Sequence, residues 1–203
     1  MRRREFITLL GGVAASWPLK VWAQQPEQIR RIGVLINRAA DDPDGQARVA
    51  AFQQGLKQLG WSDGRNVRLD IRWGEDDVDR SRRYAAELIA LAPDIMFASG
   101  APSVAALQRA TRALPIVFVA IIDPVGAGFV DALARPGGNT TGFMLFEYSL
   151  GGKWLELLKQ VAPRMTRTAV LRDPAIPSGI GLFSGIQGAA QSLGGGGERG
   201  RLA

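Results

Sequence analysis

The feature that most constrains the fold is a repeated alternation of short apolar runs with amphipathic stretches, which begins at Arg31. The run "RIGVLIN" has the apolar centre expected of a strand that is buried on both faces. From Gln46 to Leu59, apolar residues recur with the spacing of one helix face. The series continues with the predicted strands "VRLDIRW", "DIMFAS" and "PIVFVAII" and the predicted helices Asp79 to Ala90 and Ser103 to Ala113.

This βαβα series predicts an α/β fold. Apolar strands joined through helices by short loops favour a parallel, Rossmann-like sheet flanked by helices on both faces, with right-handed crossovers. In open sheets of this kind, ligands bind beyond the carboxyl ends of the strands. Functional residues are therefore expected in the loops that follow the predicted strands.

Composition limits the chemistry. The chain has neither cysteine nor histidine, which excludes disulfides, thiolate nucleophiles and imidazole bases and removes most zinc sites. Half of the net charge of +6 lies in residues 1–23, and the remainder forms no basic stripe. We therefore expect no nucleic-acid partner. We also predict no catalytic residues, no cofactor and no metal.

The N-terminal segment has the layout of a secretory signal. "MRRREFITLLGGVAASWPLKVWAQQ" has a basic start, a short apolar middle and small residues before a cleavage point after Ala23. Arg3-Arg4-Glu5-Phe6-Ile7 resembles the twin-arginine export motif. We predict a twin-arginine-type signal peptide over residues 1–23 and a periplasmic mature protein. The alternative is an uncleaved basic anchor.

A loop of small residues, Ser99-Gly100-Ala101-Pro102-Ser103, follows the third predicted strand. Such residues allow a ligand to approach the backbone closely. Ser103 is predicted to cap the next helix, whose N–H groups and dipole favour an anion. The alternative is that the loop only turns the chain and starts the helix.

Polar residues also follow the first and fourth predicted strands, Asn37 in one case and Asp123 with Pro124 in the other. The Asp123 carboxylate is suited to accept hydrogen bonds from a ligand ammonium, with Pro124 fixing the bend. The alternative is that Asp123 caps a helix from Val125 to Leu133. An anion pocket beside a carboxylate suits an amino acid.

An acidic run follows the second predicted strand and contains Glu75, Asp76, Asp77 and Asp79. We interpret it as a solvated loop that prepares the N-terminus of the next helix rather than as a cation site.

Two longer stretches carry a family resemblance. "IVFVAIIDPVGAGFVDALARPGGNTTGF", followed by "GKWLELLKQVAPRMTRTAVLRDPAIPSG", resembles the ABC-transporter substrate-binding proteins of the tryptophan- and tyrosine-binding type, over roughly Ile32 to Leu193. The resemblance implies a two-lobed periplasmic-binding-protein fold of type I-like topology, with the ligand in the cleft between lobes. It places the N-terminal lobe at 29–145 and the start of the second lobe at 146–193. It also implies a small amino-acid-like solute, an inner-membrane ABC permease as partner and a monomer.

The resemblance also implies ligand contacts. In the first lobe they are Asn37, the loop from Ser99 to Ser103, and Asp123 with Pro124. In the second lobe, Asp173 lies in a loop after the predicted strand "TAVLR". Family members often have asparagine at that position.

The end of the chain departs from the family. Where the next strand is expected, the sequence reads "GGGGERGRLA", which has no strand pattern. We expect residues 194–203 to be a disordered, non-native tail and the second lobe to be incomplete, with a natural flexible tail as the alternative. Solute capture is the leading functional hypothesis. The other hypotheses are a truncated, non-functional product, a periplasmic ligand sensor of the same fold, and an enzyme on a doubly wound sheet.

Overall fold

The computed structural model describes residues 29–172 and 177–193. The strands are β1 (Arg30–Ile36), β2 (Val67–Trp73), β3 (Ile95–Ser99), β4 (Ile116–Ile121) and β5 (Thr140–Met144). The helices are α1 (Pro43–Gln58), α2 (Val78–Ala90), α3 (Ala101–Ala110), α4 (Leu150–Val161) and α5 (Pro177–Ser192). The predicted signal peptide, Asp173 and the predicted tail lie outside the described residues.

The five strands form one sheet in the order β2-β1-β3-β4-β5, and every neighbouring pair is parallel. The predicted α/β fold with a parallel sheet is therefore confirmed. Because parallel strands all point the same way, the loops that follow them share one edge of the sheet. That edge carries the predicted first-lobe site residues.

Alternate residues of the strands pack against helices on opposite faces. Leu35 of β1 lies in a core with Leu88 of α2 and Leu107 of α3, and all three are fully buried. Its neighbours Val34 and Ile36 belong to a smaller cluster on the α1 face. Burial on both faces explains why the central strands β1, β3 and β4 are apolar without alternation. The edge strand β2 instead alternates apolar and charged residues.

The helix starts explain one incorrect prediction. Asp42 and Asp77 cap α1 and α2 by accepting backbone N–H bonds from Gly45 and Arg80. Helix α3 instead begins at Ala101, directly after Gly100, so the predicted cap at Ser103 is wrong. Proline at an early helix position favours this earlier start, because its fixed φ is helical and it has no N–H to satisfy.

Two predicted elements are not formed. Residues 125–133 are turns and bends rather than a helix, because Gly126 and Gly128 interrupt the segment and glycine is a poor helix former. Residues 168–172 are not a strand. A strand needs a neighbour for its backbone groups, and all five described strands belong to the one sheet.

The last two helices pack against each other at a glycine-rich contact. A Cβ on Gly151 would lie 2.6 Å from the backbone oxygen of Leu182, and one on Gly152 would lie 3.3 Å from the Cβ of Ala189. The helix backbones therefore approach closely only because these positions lack side chains. None of the helices in the described part of the chain has the length and apolarity needed to cross a membrane.

Candidate ligand-binding site

The carboxyl edge of the sheet brings together the loops after β1, β3 and β4. Where the strands end, the Asn37 N–H donates to the backbone carbonyl oxygen of Ser99 at 3.2 Å, and the Gly100 N–H donates to the backbone carbonyl oxygen of Val119 at 3.2 Å. These bonds continue the sheet ladder into the loops. Asn37 therefore lies beside Ser99 at the end of β3 and Gly100 at the start of α3. The other residues of the predicted loop, Ala101, Pro102 and Ser103, form the first turn of α3.

Two buried hydroxyls mark the start of α3. Ser99 is 1% exposed and Ser103 is 0% exposed, and neither Oγ has a hydrogen-bond partner among the described residues. The N-terminus of α3 also has no side-chain cap. Buried polar groups in folded proteins are nearly always paired, so this position has unused hydrogen-bonding capacity.

Gly100 is required by the arrangement of this loop. Its backbone has φ of +84° and ψ of 155°, a combination that is essentially restricted to glycine. A Cβ at this position would lie 2.6 Å from Asn37 Oδ1 and 2.7 Å from Asn37 Nδ2. The Asn37 amide therefore lies against the bare Cα of Gly100.

Asp123 caps a turn, not the predicted helix. Its Oδ1 accepts the Gly126 N–H at 2.7 Å, and its Oδ2 accepts the Tyr148 N–H at 3.2 Å. These bonds connect the loop after β4 to the segment before α4. Burial, and after it the negative charge of Asp123, raises the pKa of Tyr148. Pro124, the other predicted residue here, is fully buried.

The backbone near Asp123 is irregular. Strand β4 changes register against β5 between Phe118 and Ile121, and Ala120 and Asp123 have positive φ values of 57° and 43°. Bulges and uncommon backbone conformations often occur beside functional sites, where they redirect a side chain. Here the irregularity directs the chain from β4 into the Asp123 loop.

The loop after β2 is a part of this edge that the sequence analysis missed. Asp76 Oδ1 accepts a hydrogen bond from Asn37 Nδ2 at 2.8 Å. The backbone N–H of Asp76 also donates to the backbone carbonyl oxygen of Asn37 at 2.6 Å. The interpretation as a solvated loop that prepares the helix start agrees with Asp77, which caps α2, and with the exposure of Asp76. It did not include the bond from Asn37 to Asp76. The position of the acidic run, directly after a strand of the same sheet, could have predicted that it lies at this edge.

Comparison with known proteins identifies the family. Residues 33–180 match the family model described as ABC transporter substrate binding protein. The chain belongs to this family. Its members are substrate-binding proteins rather than enzymes, and the predicted family resemblance is confirmed.

Individual relatives support the family assignment. A tyrosine-binding protein from Clostridioides difficile (strain R20291) is 30% identical over 136 residues, which cover 67% of this chain and 39% of the relative. A conserved domain protein from Vibrio cholerae O1 biovar El Tor superposes with a TM-score of 0.74 at 27% identity, covering 82% of this chain and 55% of that one. A Streptococcus pneumoniae ABC domain in complex with L-Trp gives a TM-score of 0.72 at 27% identity, with coverages of 81% and 54%.

The chain has the fold of the type I-like periplasmic binding proteins, as predicted. The chain spans about half the length of the two solved structures and less than half of the curated relative. The first-lobe residues predicted from the resemblance lie on the strand-end loops described above.

Proposed function

We propose that this chain is the solute-binding component of an ABC importer and that it binds an amino-acid-like ligand at the carboxyl edge of its sheet. The observation that carries the proposal is the pair of buried, unpartnered hydroxyls of Ser99 and Ser103 at the uncapped start of α3. A ligand that supplies hydrogen-bond acceptors there would satisfy both groups.

The carboxylate of an amino acid fits this position. It offers two acceptor oxygens and a negative charge, and the helix N-terminus offers free N–H groups and the positive end of the helix dipole. Ala101 and Ser103 contribute N–H groups to the first turn, whereas Pro102 has none.

The ammonium group of the same ligand is assigned to Asp123. Each oxygen of its carboxylate already accepts one backbone N–H. An ionised carboxylate has about four acceptor positions, so capacity remains for a ligand cation. The relatives named for tyrosine and solved with L-Trp make aromatic amino acids the first ligands to test.

The proposal extends to the whole protein. Residues 1–23 act as a twin-arginine signal, and the mature protein works in the periplasm with an inner-membrane permease. Residues 29–145 form the first lobe, residues 146–193 begin the second, and a ligand-binding role in the second lobe is assigned to Asp173. The division is supported by β5, which completes the sheet at Met144, and by the packing of α4 against α5.

Isothermal titration calorimetry with three related ligands tests the two halves of the site separately. L-tryptophan has both charged groups, tryptamine lacks the carboxylate, and indole-3-propionate lacks the ammonium. Ser103→Ala should weaken L-tryptophan binding about ten-fold, as expected for a hydrogen bond to a charged group. It should leave tryptamine binding unchanged. Asp123→Asn should weaken L-tryptophan but not indole-3-propionate.

The exposed Ser192 supplies a matched control, because Ser192→Ala removes the same hydroxyl from α5. Equal losses for Ser103→Ala and Ser192→Ala, or equal losses for all three ligands, would contradict the assigned roles. Absence of binding by the unmodified chain to either tyrosine or tryptophan would reject aromatic amino acids as ligands.

A further inference from the structure

The side chain of Asn37 is held on two sides by groups outside its own loop. Its Nδ2 donates to Asp76 Oδ1 at 2.8 Å, and its amide lies against the bare Cα of Gly100. No hydrogen bond to Asn37 Oδ1 is found among the described residues. The amide is therefore fixed at one end and free at the other.

The chemistry of Asp76 decides which end is free. An ionised carboxylate only accepts hydrogen bonds, whereas an amide has a donor nitrogen and an acceptor oxygen. Asp76 must therefore face the nitrogen, and the carbonyl oxygen of Asn37 must point away from it. A neutral partner at position 76 that both donates and accepts would allow either orientation of the amide.

The loop that carries Asp76 is held in an uncommon conformation. Glu75 and Asp76 both have left-handed backbones, with φ values of 54° and 53°. Two backbone hydrogen bonds fix this loop to the end of β1 and the loop after it. The Gly74 N–H donates to the Ile36 carbonyl oxygen at 2.6 Å, and the Asp76 N–H donates to the Asn37 carbonyl oxygen at 2.6 Å. Glu75 also pairs with Arg80. Two adjacent non-glycine residues in this region are unfavourable without such support.

We propose that Asp76 is a positioning residue that orients Asn37 so that its Oδ1 accepts a hydrogen bond from a ligand N–H. The inference rests on the proposed function and deepens it, because it states what the ligand must present at this point. An ammonium group has three N–H donors and needs more than one acceptor. Asn37 and Asp123 together supply them. The site is thereby selective for amines over solutes that present a carbonyl or carboxylate here.

The first test needs no ligand. In nuclear magnetic resonance spectra of the ¹⁵N-labelled full chain, the side-chain amide of Asn37 should show one proton shifted by its bond to a carboxylate. Asp76→Ala should remove the shift. Asp79→Ala is the matched control, since it removes the same charge from an 89% exposed side chain nearby, and it should preserve the shift. Identical Asn37 amide signals in the unmodified chain and Asp76→Ala would overturn the inference.

The second test is a double-mutant cycle measured by calorimetry with L-tryptophan and indole-3-propionate. Asp76→Ala should weaken L-tryptophan binding about ten-fold and leave indole-3-propionate unchanged. In an Asn37→Ala background the effect of Asp76→Ala should vanish, because Asp76 acts only through Asn37. A loss that persists in that background, or that affects both ligands equally, would overturn the positioning role.

The two tests separate the inference from the proposed function. If the unmodified chain binds neither ligand, amino-acid binding fails, while the Asn37 amide signals still decide whether Asp76 orients the side chain. If the chain binds L-tryptophan but the amide signals do not depend on Asp76, the proposed function stands and the positioning role is wrong.

Discussion

The glycine at the start of α3 gives the sharpest test of how the loops at the sheet edge fit together. Gly100→Ala adds one methyl group at a position where φ is +84° and where that methyl would overlap Asn37 Oδ1 and Nδ2 at 2.6 and 2.7 Å. The substitution therefore strains the backbone and displaces the Asn37 amide from Asp76.

The magnitude follows from these two effects. Holding an L-residue in this backbone region is unfavourable by about 1–3 kcal/mol. Losing the hydrogen bond between Asn37 and Asp76 adds about 0.5–1.5 kcal/mol. We expect Gly100→Ala to lower the free energy of unfolding by about 1.5–4.5 kcal/mol, and urea denaturation of the full chain measures it directly.

Gly55 supplies the matched control. It lies within α1, and a Cβ there would meet no atom within 4 Å. Since alanine is a better helix former than glycine, Gly55→Ala should raise the free energy of unfolding by about 0.5–1 kcal/mol. Two identical chemical changes should thus act in opposite directions. If Gly100→Ala proved as stable as the unmodified chain, the described contact between Gly100 and Asn37 would be refuted.

Three further predictions concern stability, each measured by urea denaturation. Leu107→Ala, at a fully buried core position, should lower the free energy of unfolding by about 2–5 kcal/mol. Leu59→Ala, at a 78% exposed position, should change it by less than about 0.5 kcal/mol. Equal effects would contradict the described core. Gly181→Ala should lower the free energy of unfolding, because the added Cβ would overlap the Tyr148 ring. In the same helix, a Cβ on Gly188 would meet no atom within 4 Å, so Gly188→Ala should be neutral or stabilising. The reverse order would contradict the packing of α5. Bonds from backbone N–H groups lower the pKa of three aspartate carboxyls below the ordinary value of 3.8, namely Asp42, Asp77 and Asp94. Their stabilising effect is therefore fully present only well above the ordinary pKa, from about pH 5, and is lost as the pH falls through the lowered values. A variant with all three changed to asparagine should lose less stability between about pH 5 and pH 3, and an unchanged pH dependence would contradict the assignment.

The sequence was sufficient to predict the sheet because the burial of a strand determines which residue types occur along it. The apolar runs ending at Ile36 and Ser99 became central strands, and the alternating stretch ending at Trp73 became the edge strand β2. The alternative in which Asp123 caps a helix at residues 125–133 was wrong, because Gly126 and Gly128 disfavour a helix there.

The site was only partly predictable, since its key features depend on backbone conformation. Residue type alone pointed to Asn37, Gly100 and Asp123, which follow strands. It did not reveal that Asp76 holds a left-handed conformation and contacts a loop 39 residues earlier. Nor did it show that Ser103 is buried within α3 rather than capping it. Such long-range contacts exist only once the strands are paired.

The central claim, that an amino acid binds at the carboxyl edge of the sheet, is tested most directly by titrating the ¹⁵N-labelled full chain with L-tryptophan and following its backbone amide signals. The measurement detects weak as well as tight binding. We predict that the largest shifts occur at Ala101 and Ser103 in the first turn of α3 and at Asn37. Shifts confined to the opposite edge of the sheet, or none at saturating ligand, would contradict the claim.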